Sequence, residues 1–238
     1  MGDKISIIIP TKNEEKVIGK TLKKYSDLKK YLNLEIIVSD GNSTDKTIEI
    51  ARKYADRVVL AKKGEAQTIA RGRNAGARVS KGKYLFHTDA DVFPENPKLF
   101  FSEVLNAFRD KNVVAVTTKL RIYPNEERVA DKIGHFFINL FIKKFSFLGK
   151  GECQIVTKKS FEEIGGYHDG LVMGEDFNLF RLLRRKGKIK YLDNLCVYHS
   201  PRRFREQGYF GLLWLFLFEG LHMFIWRKSF LKEWKPIR

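Results

Sequence analysis

Cysteine is nearly missing. The chain of 238 residues holds two, Cys153 and Cys196, too far apart for a CxxC metal motif and too few for a disulfide framework. A reduced, cytoplasmic setting is therefore the default. No basic, apolar and small-residue succession opens the chain, so no secretory signal is expected. MGDKIS fits the loose myristoylation pattern, yet Ile5 and Ser6 already belong to a predicted strand and leave no free arm. The first apolar run is followed by PTKNEE instead of a glycine-rich turn, and no stretch matches a P-loop, so hydride transfer and ATP hydrolysis lose ground. Internal repeats, low-complexity linkers and the basic–aromatic signature of an RNA-binding module are absent as well. Acidic residues are outnumbered: 28 Asp and Glu stand against 45 Lys and Arg, a formal net charge of +17. That excess favours anionic partners without choosing among phosphate-bearing substrates, acidic headgroups and nucleic acid. Lysines scattered along helical stretches such as 16–30 make much of it a solvated surface.

With 43% hydrophobic residues, the chain can bury one sizeable core. ISIII (5–9), EIIVS (35–39), VVL (58–60), YLFHT (84–88) and VVAVTT (113–118) read as buried strands. Helical patterns lie between them, at 14–32 and 44–54 among others. This alternation predicts an α/β protein with a mainly parallel sheet covered on both faces. Ligands in such sheets sit beyond the carboxyl ends of the strands. There PTKNEE, DGNSTD and HTDAD should meet. The rhythm then changes to an amphipathic segment at 127–148, a strand at 153–157, a helix at 174–187 and a strand pair at 189–198. Soft boundaries near 120 and 201 give a first half (1–120), a second half of the same domain (121–200) and a C-terminal helix (201–238).

Asp89 and Asp91 leave the strand YLFHT one residue apart. Carboxylates so placed suit Mg2+ or Mn2+, whose coordination substrate phosphates can complete, and such an ion would neutralise charge on a departing diphosphate. The same DAD could instead cap a helix beginning near Pro97 or form a solvated turn. Asp40 could accept a base N–H while Gly41 permits a sharp turn, and Ser43 to Asp45 could cap the following helix. Arg71, Arg73 and Asn74 could approach a diphosphate, which arginine binds bidentately. A surface helix with Gly76 for close packing is the plainer alternative. Glu175 and Asp176 open an amphipathic helix, where acid favours the dipole, and an aspartate there could also deprotonate an acceptor hydroxyl. His199 is either structural or, as a neutral imidazole, a third metal ligand.

Taken together, ISIIIPTKNEE, EIIVSDGNSTDKT, RGRNAGA, YLFHTDADV and GEDFNLFRLLRRKG stand in the order, and at about the intervals, of the inverting glycosyltransferases of family 2. The sequence resembles that family across roughly residues 4 to 200. The resemblance implies a GT-A (nucleotide-diphospho-sugar transferase) fold, a nucleotide-sugar donor and Mn2+ or Mg2+ held by the DxD motif. It implies that Pro10, Thr11, Asn13 and Glu14 line the nucleoside pocket and that Asp40 touches the base. Asp89 and Asp91 would handle ribose and metal, with His199 as the late metal histidine, and Asp176 of the Glu175–Asp176 pair would be the base. Gly151 to Gln154 fall where the acceptor-side loop passes, with Arg202 and Arg203 on the diphosphate side. The QxxRW signature of processive members is absent, since RRFREQG (202–208) has the arginines but not the pattern, so single-sugar addition is expected. If the acceptor is a lipid phosphate it is already ionised, and Asp176 would orient the sugar instead.

YFGLLWLFLFEGLHMFIW (209–226) is eighteen residues long, at the lower limit for crossing a bilayer core. Glu219 and His222 share one stripe with Gly208 and Gly211, which fits a helix lying in the interface. Arg202, Arg203, Arg205, Arg227 and Lys228 flank it and could meet acidic headgroups. Segment 133–148 behaves alike, with a polar line of His135, Asn139 and Lys143. Two such helices expose more apolar surface than a soluble monomer carries. The expectation is peripheral or monotopic attachment at the cytoplasmic face of the cell membrane and a lipid-linked acceptor such as a polyprenyl phosphate. Mutual packing or a homodimer is the alternative. A basic nucleic-acid-binding module would leave the acidic strand ends unexplained, so no nucleic acid is expected. A non-catalytic scaffold of GT-A type is the third reading.

Overall fold

The computed structural model describes residues 2–62, 68–145 and 149–226, apart from the side chains of 213, 216, 217 and 219–226. The order is β1 (Ile5–Thr11), α1 (Ile18–Leu28), β2 (Leu34–Asp40), α2 (Thr47–Tyr54), β3 (Arg57–Leu60), α3 (Ile69–Val79), β4 (Tyr84–Thr88), β5 (Phe93–Pro94), α4 (Pro97–Ala107), β6 (Val113–Ile122), α5 (Val129–Lys144), β7 (Cys153–Thr157), α6 (Lys158–Glu163), α7 (Glu175–Leu183), β8 (Lys188–His199) and α8 (Arg202–Trp226). One eight-stranded sheet runs β3-β2-β1-β4-β7-β6-β8-β5. β1 pairs in parallel with β2 and β4, as do β2 with β3 and β6 with β8. β7 runs antiparallel between β4 and β6. Residue 120 lies inside β6, so both halves of the chain share this sheet.

The expected strand pair at 189–198 is a single strand. β8 follows β6 in parallel but slips between Thr118 and Lys119, where residues 193–195 bulge out; such a bulge bends the strand and re-aims its end. The helix near Pro97 exists, but its cap is Asn96, whose Oδ1 accepts from the Leu99 N–H at 3.2 Å. DAD is thereby released from capping.

Alternation along the central strands explains the two cores. Ile7, Ile9, Ile36 and Val38 face one side with α1 and α4, while Ile8, Ile37 and Leu85 face the other with α3 and α7. On that second side α3 lies close against the sheet at Gly76, where a Cβ would come within 2.5 Å of the Ile8 methyl. Cys153 and Cys196 are free and buried.

α5 is built inside out. It buries Asp131 and His135 and turns Ile133, Phe136, Phe137 and Leu140 outward. Asp131 is held by an ion pair with Arg205 and by the Tyr209 hydroxyl, which donates to its Oδ1 at 2.9 Å, so α5 and α8 are clamped through polar groups. α8 breaks at Gly208 (φ 69°, ψ 161°). Of the polar stripe expected along it, the side chains of Glu219 and His222 and all of Arg227 and Lys228 lie outside the described residues. Among the described residues no helix is long and apolar enough to cross a membrane.

Candidate active site

The carboxyl ends of β1, β2 and β4 converge, as the parallel pairing requires. Thr11 pairs in register with Asp40, and the two loops that follow are stitched together. The Asn13 N–H donates to Ser43 Oγ (2.7 Å), Asn13 Oδ1 accepts from the Thr44 N–H (2.7 Å), and the Glu14 N–H donates to Thr47 Oγ1 (2.7 Å). Asn13 and Asn42 hold left-handed backbone, with φ of 55° and 62°; asparagine tolerates this better than other non-glycine residues. The sharp turn thus falls on Asn42 and not on Gly41. Asp40, expected to touch a base, is 2% exposed. Its carboxylate accepts from Thr11 Oγ1 (3.0 Å), the Ser43 N–H (2.7 Å) and Ser43 Oγ (2.6 Å), so it ties the turn and presents little to a ligand. Asp45 accepts from the Thr47 N–H at 2.9 Å and steadies the start of α2.

Arg73 lies where a diphosphate contact was expected of it, yet it faces inward. It is 1% exposed, donating through Nη1 to Glu175 Oε1 (2.9 Å) and through Nη2 to Asp89 Oδ1 (3.1 Å) and the Gly151 carbonyl (2.7 Å). Burial works against its charge, but Tyr167, Asp89, Glu175 and Asp176 outweigh that and keep it protonated. Arg71 sits half-buried in the first turn of α3, its N–H bonded to Thr68 Oγ1 at 3.1 Å. Gly151 remains beside the carboxylates: a Cβ there would stand 3.7 Å from Asp176 Oδ2. Gln154 is withdrawn. It is fully buried, and its Oε1 accepts from the Tyr167 hydroxyl, because β7 turns this residue to the interior opposite His87.

Crowding of acids marks the centre. Desolvation, aided by Glu152 and Asp91 and opposed by Arg73, raises Asp89 to about 7. Glu175 rises to about 7 from desolvation and the neighbouring Asp176. Asp176 rises as well, through desolvation and against a hydrogen bond that its Oδ1 accepts from the Phe177 N–H at 2.7 Å. Glu175 is buried and spent on Arg73; Asp176, at the helix mouth, is the more open of the pair. Arg202 reaches in from the start of α8 and spans Glu14 Oε2 (3.1 Å) and Asp91 Oδ2 (3.0 Å). Arg203 is half-buried next to it, its charge opposed by desolvation and supported by Asp89 and Glu152. Beyond Arg202 a groove of about 660 Å³ opens toward Glu127, Arg128 and Arg205.

His199 is turned to another use than metal binding. Its Nε2 lies 2.9 Å from His135 Nε2, and His135 Nδ1 lies 2.9 Å from the Asp131 carbonyl. With Nδ1–H of His135 donating to that carbonyl, its Nε2 accepts and His199 must donate. Desolvation, with His135 adjacent, lowers His199 to about 3, so the pair is neutral. Among the described residues no group of three His, Cys, Asp or Glu is assembled to hold a metal. Asp89 and Asp91 nevertheless offer the hard oxygen donors that Mg2+ or Mn2+ prefers, with Glu152 close enough to add its charge to theirs. These two residues fit such an ion as a partial shell, one that substrate oxygens would complete.

Two residues were given no role of their own by the sequence. Glu152 adds a further carboxylate beside Asp89 and Asp176. Lys150 is buried with Nζ on Asn139 Oδ1 (2.8 Å), and desolvation lowers it to about 8. A G-K-G-E run between an amphipathic segment and a strand was the available signal.

Because Arg73 neutralises carboxylates from two elements, Arg73→Met should cost about 3–5 kcal/mol, as removal of one partner of a buried pair does. The loss also depends on pH. Without Arg73 the folded pKa values of Glu175 and Asp89 rise further above their unfolded values near 4, so the native state binds more protons than the unfolded chain. In the wild-type fold both carboxyls already stand at about 7, so the deficit is small below that pH and grows above it, toward the higher folded pKa values of the variant. Urea titrations of both proteins across that range measure it.

A sheet of this order, with paired carboxylates at the end of β4 and an acidic helix start facing them, defines a GT-A-type transferase domain. The chain belongs to glycosyl transferase family 2, whose family model matches residues 6–165. It is similar to the probable glycosyltransferase YdaM of Bacillus subtilis, with 30% identity over 202 residues, 74% of this chain and 45% of that protein. It is also similar to the beta-monoglucosyldiacylglycerol synthase of Nostoc sp., with 26% identity over 231 residues, 86% of this chain and 49% of that protein. The chain thus spans about half the length of these two relatives. Among solved structures, the mannosyltransferase PcManGT of Pyrobaculum calidifontis, in complex with GDP-Man and Mn2+, superposes with a TM-score of 0.64 at 20% identity, covering 84% of this chain and 57% of that one. At that identity the likeness concerns the fold.

Proposed function

We propose that this protein is a metal-dependent inverting hexosyltransferase that moves one sugar from a nucleotide-diphosphate sugar to a lipid-linked acceptor. The observation that carries this reading is the frame made by Arg73, which fastens Asp89 of the donor side to Glu175 beside Asp176 of the acceptor side. Catalysis by displacement needs those two ends held in fixed relation. On this reading Pro10, Thr11, Asn13 and Glu14 line the nucleoside side of the cleft, and Asp89 and Asp91 would hold the divalent cation. When bound, that ion neutralises charge on the leaving diphosphate. Arg202 and Arg203 supply further positive charge from the other wall, and a guanidinium spanning two carboxylates is equally suited to phosphate oxygens. Asp176 takes the proton of an acceptor hydroxyl; for a lipid phosphate, already ionised, it orients the sugar. Membership in family 2 and a relative named for making a glucosyl lipid support the donor class and the acceptor class.

The test is nucleotide release from a panel of nucleotide sugars with Mn2+ or Mg2+, with and without polyprenyl phosphate or diacylglycerol in detergent. Release from at least one donor, stimulated by metal and accelerated by a lipid acceptor, is expected. A chain that binds nucleotide sugars yet transfers nothing to any acceptor would be a scaffold. Binding of random DNA in place of nucleotide sugars would reinstate the nucleic-acid reading.

A further inference from the structure

We propose that the outward faces of α5 and α8 form a docking surface by which this protein lies on an anionic lipid bilayer, with their aromatic side chains entering the interfacial zone. The inference rests on surface geometry and charge, independently of sugar transfer. A water-facing helix of a globular protein hides its apolar side and shows its polar one. α5 does the reverse: Phe136 (63%), Phe137 (62%) and Leu140 (55%) are exposed, while Asp131 and His135 are buried. α8 repeats the pattern at Phe210 (82%), Trp214 (72%) and Phe218 (52%), spaced by four and so on one helix face.

The two helices are braced against each other. The Tyr209 ring lies on Gly134, where a Cβ would come within 2.4 Å of it, and its hydroxyl reaches Asp131. Asp131, Arg205 and Tyr209 are consumed between them, while the apolar rows stay more than half exposed. Scattered exposed apolar residues are ordinary on a soluble protein, but rows of large apolar side chains on two helices joined at Gly134 and Tyr209 are of the kind that marks an interaction surface.

Charge selects the occupant. Arg128, Lys132, Lys143 and Lys144 are exposed along α5, and the one acid of that helix, Asp131, is buried and paired with Arg205. Lys143 also pairs with Asp193; the rim is still cationic, on a chain of net charge +17. In a two-fold dimer the same patch meets itself, so this rim would face an identical one and repel it. Acidic headgroups complement it instead, at about 1 kcal/mol per basic residue near the surface. Tryptophan and phenylalanine on one face with lysine and arginine beside them are the composition of a helix lying in the interface.

The experiment is flotation of the full chain with phosphatidylcholine vesicles, prepared with and without phosphatidylglycerol. The protein should float with the phosphatidylglycerol vesicles and be partly released by salt. Phe136→Asp combined with Leu140→Asp should weaken binding about tenfold or more, and Lys132→Glu with Lys144→Glu should weaken it on anionic vesicles. Nucleotide binding and circular dichroism report whether the variants are folded. Should the aspartate variant misfold, Phe137→Cys carrying an environment-sensitive dye decides, since both native cysteines are buried; its emission should shift to the blue on anionic vesicles. Failure of the wild-type chain to float, or equal flotation of folded variants, overturns the proposal. A dimer that the aspartate substitutions split, with lipid binding unchanged, overturns it too and assigns the face to a second copy. Nucleotide release with a short-chain soluble acceptor reads the chemistry separately.

Discussion

Asp176→Asn should lower kcat for transfer to a hydroxyl acceptor by about 10³-fold, within the range that removal of a general base produces, and leave the KM for the donor nearly unchanged. The expectation follows from placement. Asp176 stands at the open end of α7, while Glu175 next to it is buried against Arg73, so only the former meets an incoming acceptor. Asparagine keeps an oxygen for the Phe177 N–H, which holds the helix start in place. Steady-state kinetics of both proteins on the same donor separate kcat from KM. The acid limb of the wild-type profile is a second signature. Burial raises both carboxyls of the pair, Glu175 to about 7, and a base must be deprotonated to act. The rate should therefore fall as pH drops, with a midpoint displaced from the usual carboxylate range toward 7. That midpoint belongs to the pair, so Glu175→Gln should move it down. Loss of only about tenfold in Asp176→Asn, where 10²–10⁴ is typical of a base, would identify an acceptor that arrives already ionised.

Asp91→Asn should abolish metal-stimulated turnover. Charge neutralisation on a leaving diphosphate is worth several kcal/mol, and each ~1.4 kcal/mol is a factor of ten, so a loss of about 10³-fold or more is expected. Stability should change little. Asp91 lies at the cleft wall, and its partner Arg202 keeps Glu14. Nucleotide release titrated with Mn2+ measures the rate, and calorimetric titration of Mn2+ in the presence of nucleotide measures the metal site without any turnover. A variant that retains the wild-type rate and Mn2+ affinity would remove the metal from the β4 carboxylates.

Strands were readable because their signal is local. YLFHT and CQIVT occupy β4 and β7 with the bounds their apolar runs suggest, and Asp89 and Asp91 leave β4 where the run ends. Residues whose role depends on a distant partner were not readable. Arg73 reads as a surface arginine until Glu175 arrives from 102 residues away. His199 reads as a ligand until His135, 64 residues earlier, takes its Nε2. Asp40 reads as a free carboxylate, yet the turn at Asn42 folds Ser43 back onto it. The outward face of α5 was half legible: periodicity located the polar line of His135 and Asn139, and only packing against β6 decided that this line points in. Asn139 there exchanges two hydrogen bonds with the Leu120 backbone.

Gly208 fixes how the end of the chain leaves the cleft. Its φ of 69° and ψ of 161° fall in a region of backbone space reserved for glycine, so any side chain would deform the bend. The short turn bearing Arg202 and the long apolar run from Tyr209 onward therefore meet at an angle set by one hydrogen atom in place of a methyl. Substitutions farther along the outer helix alter what its face presents, but at the corner that aims it every residue other than glycine is strained.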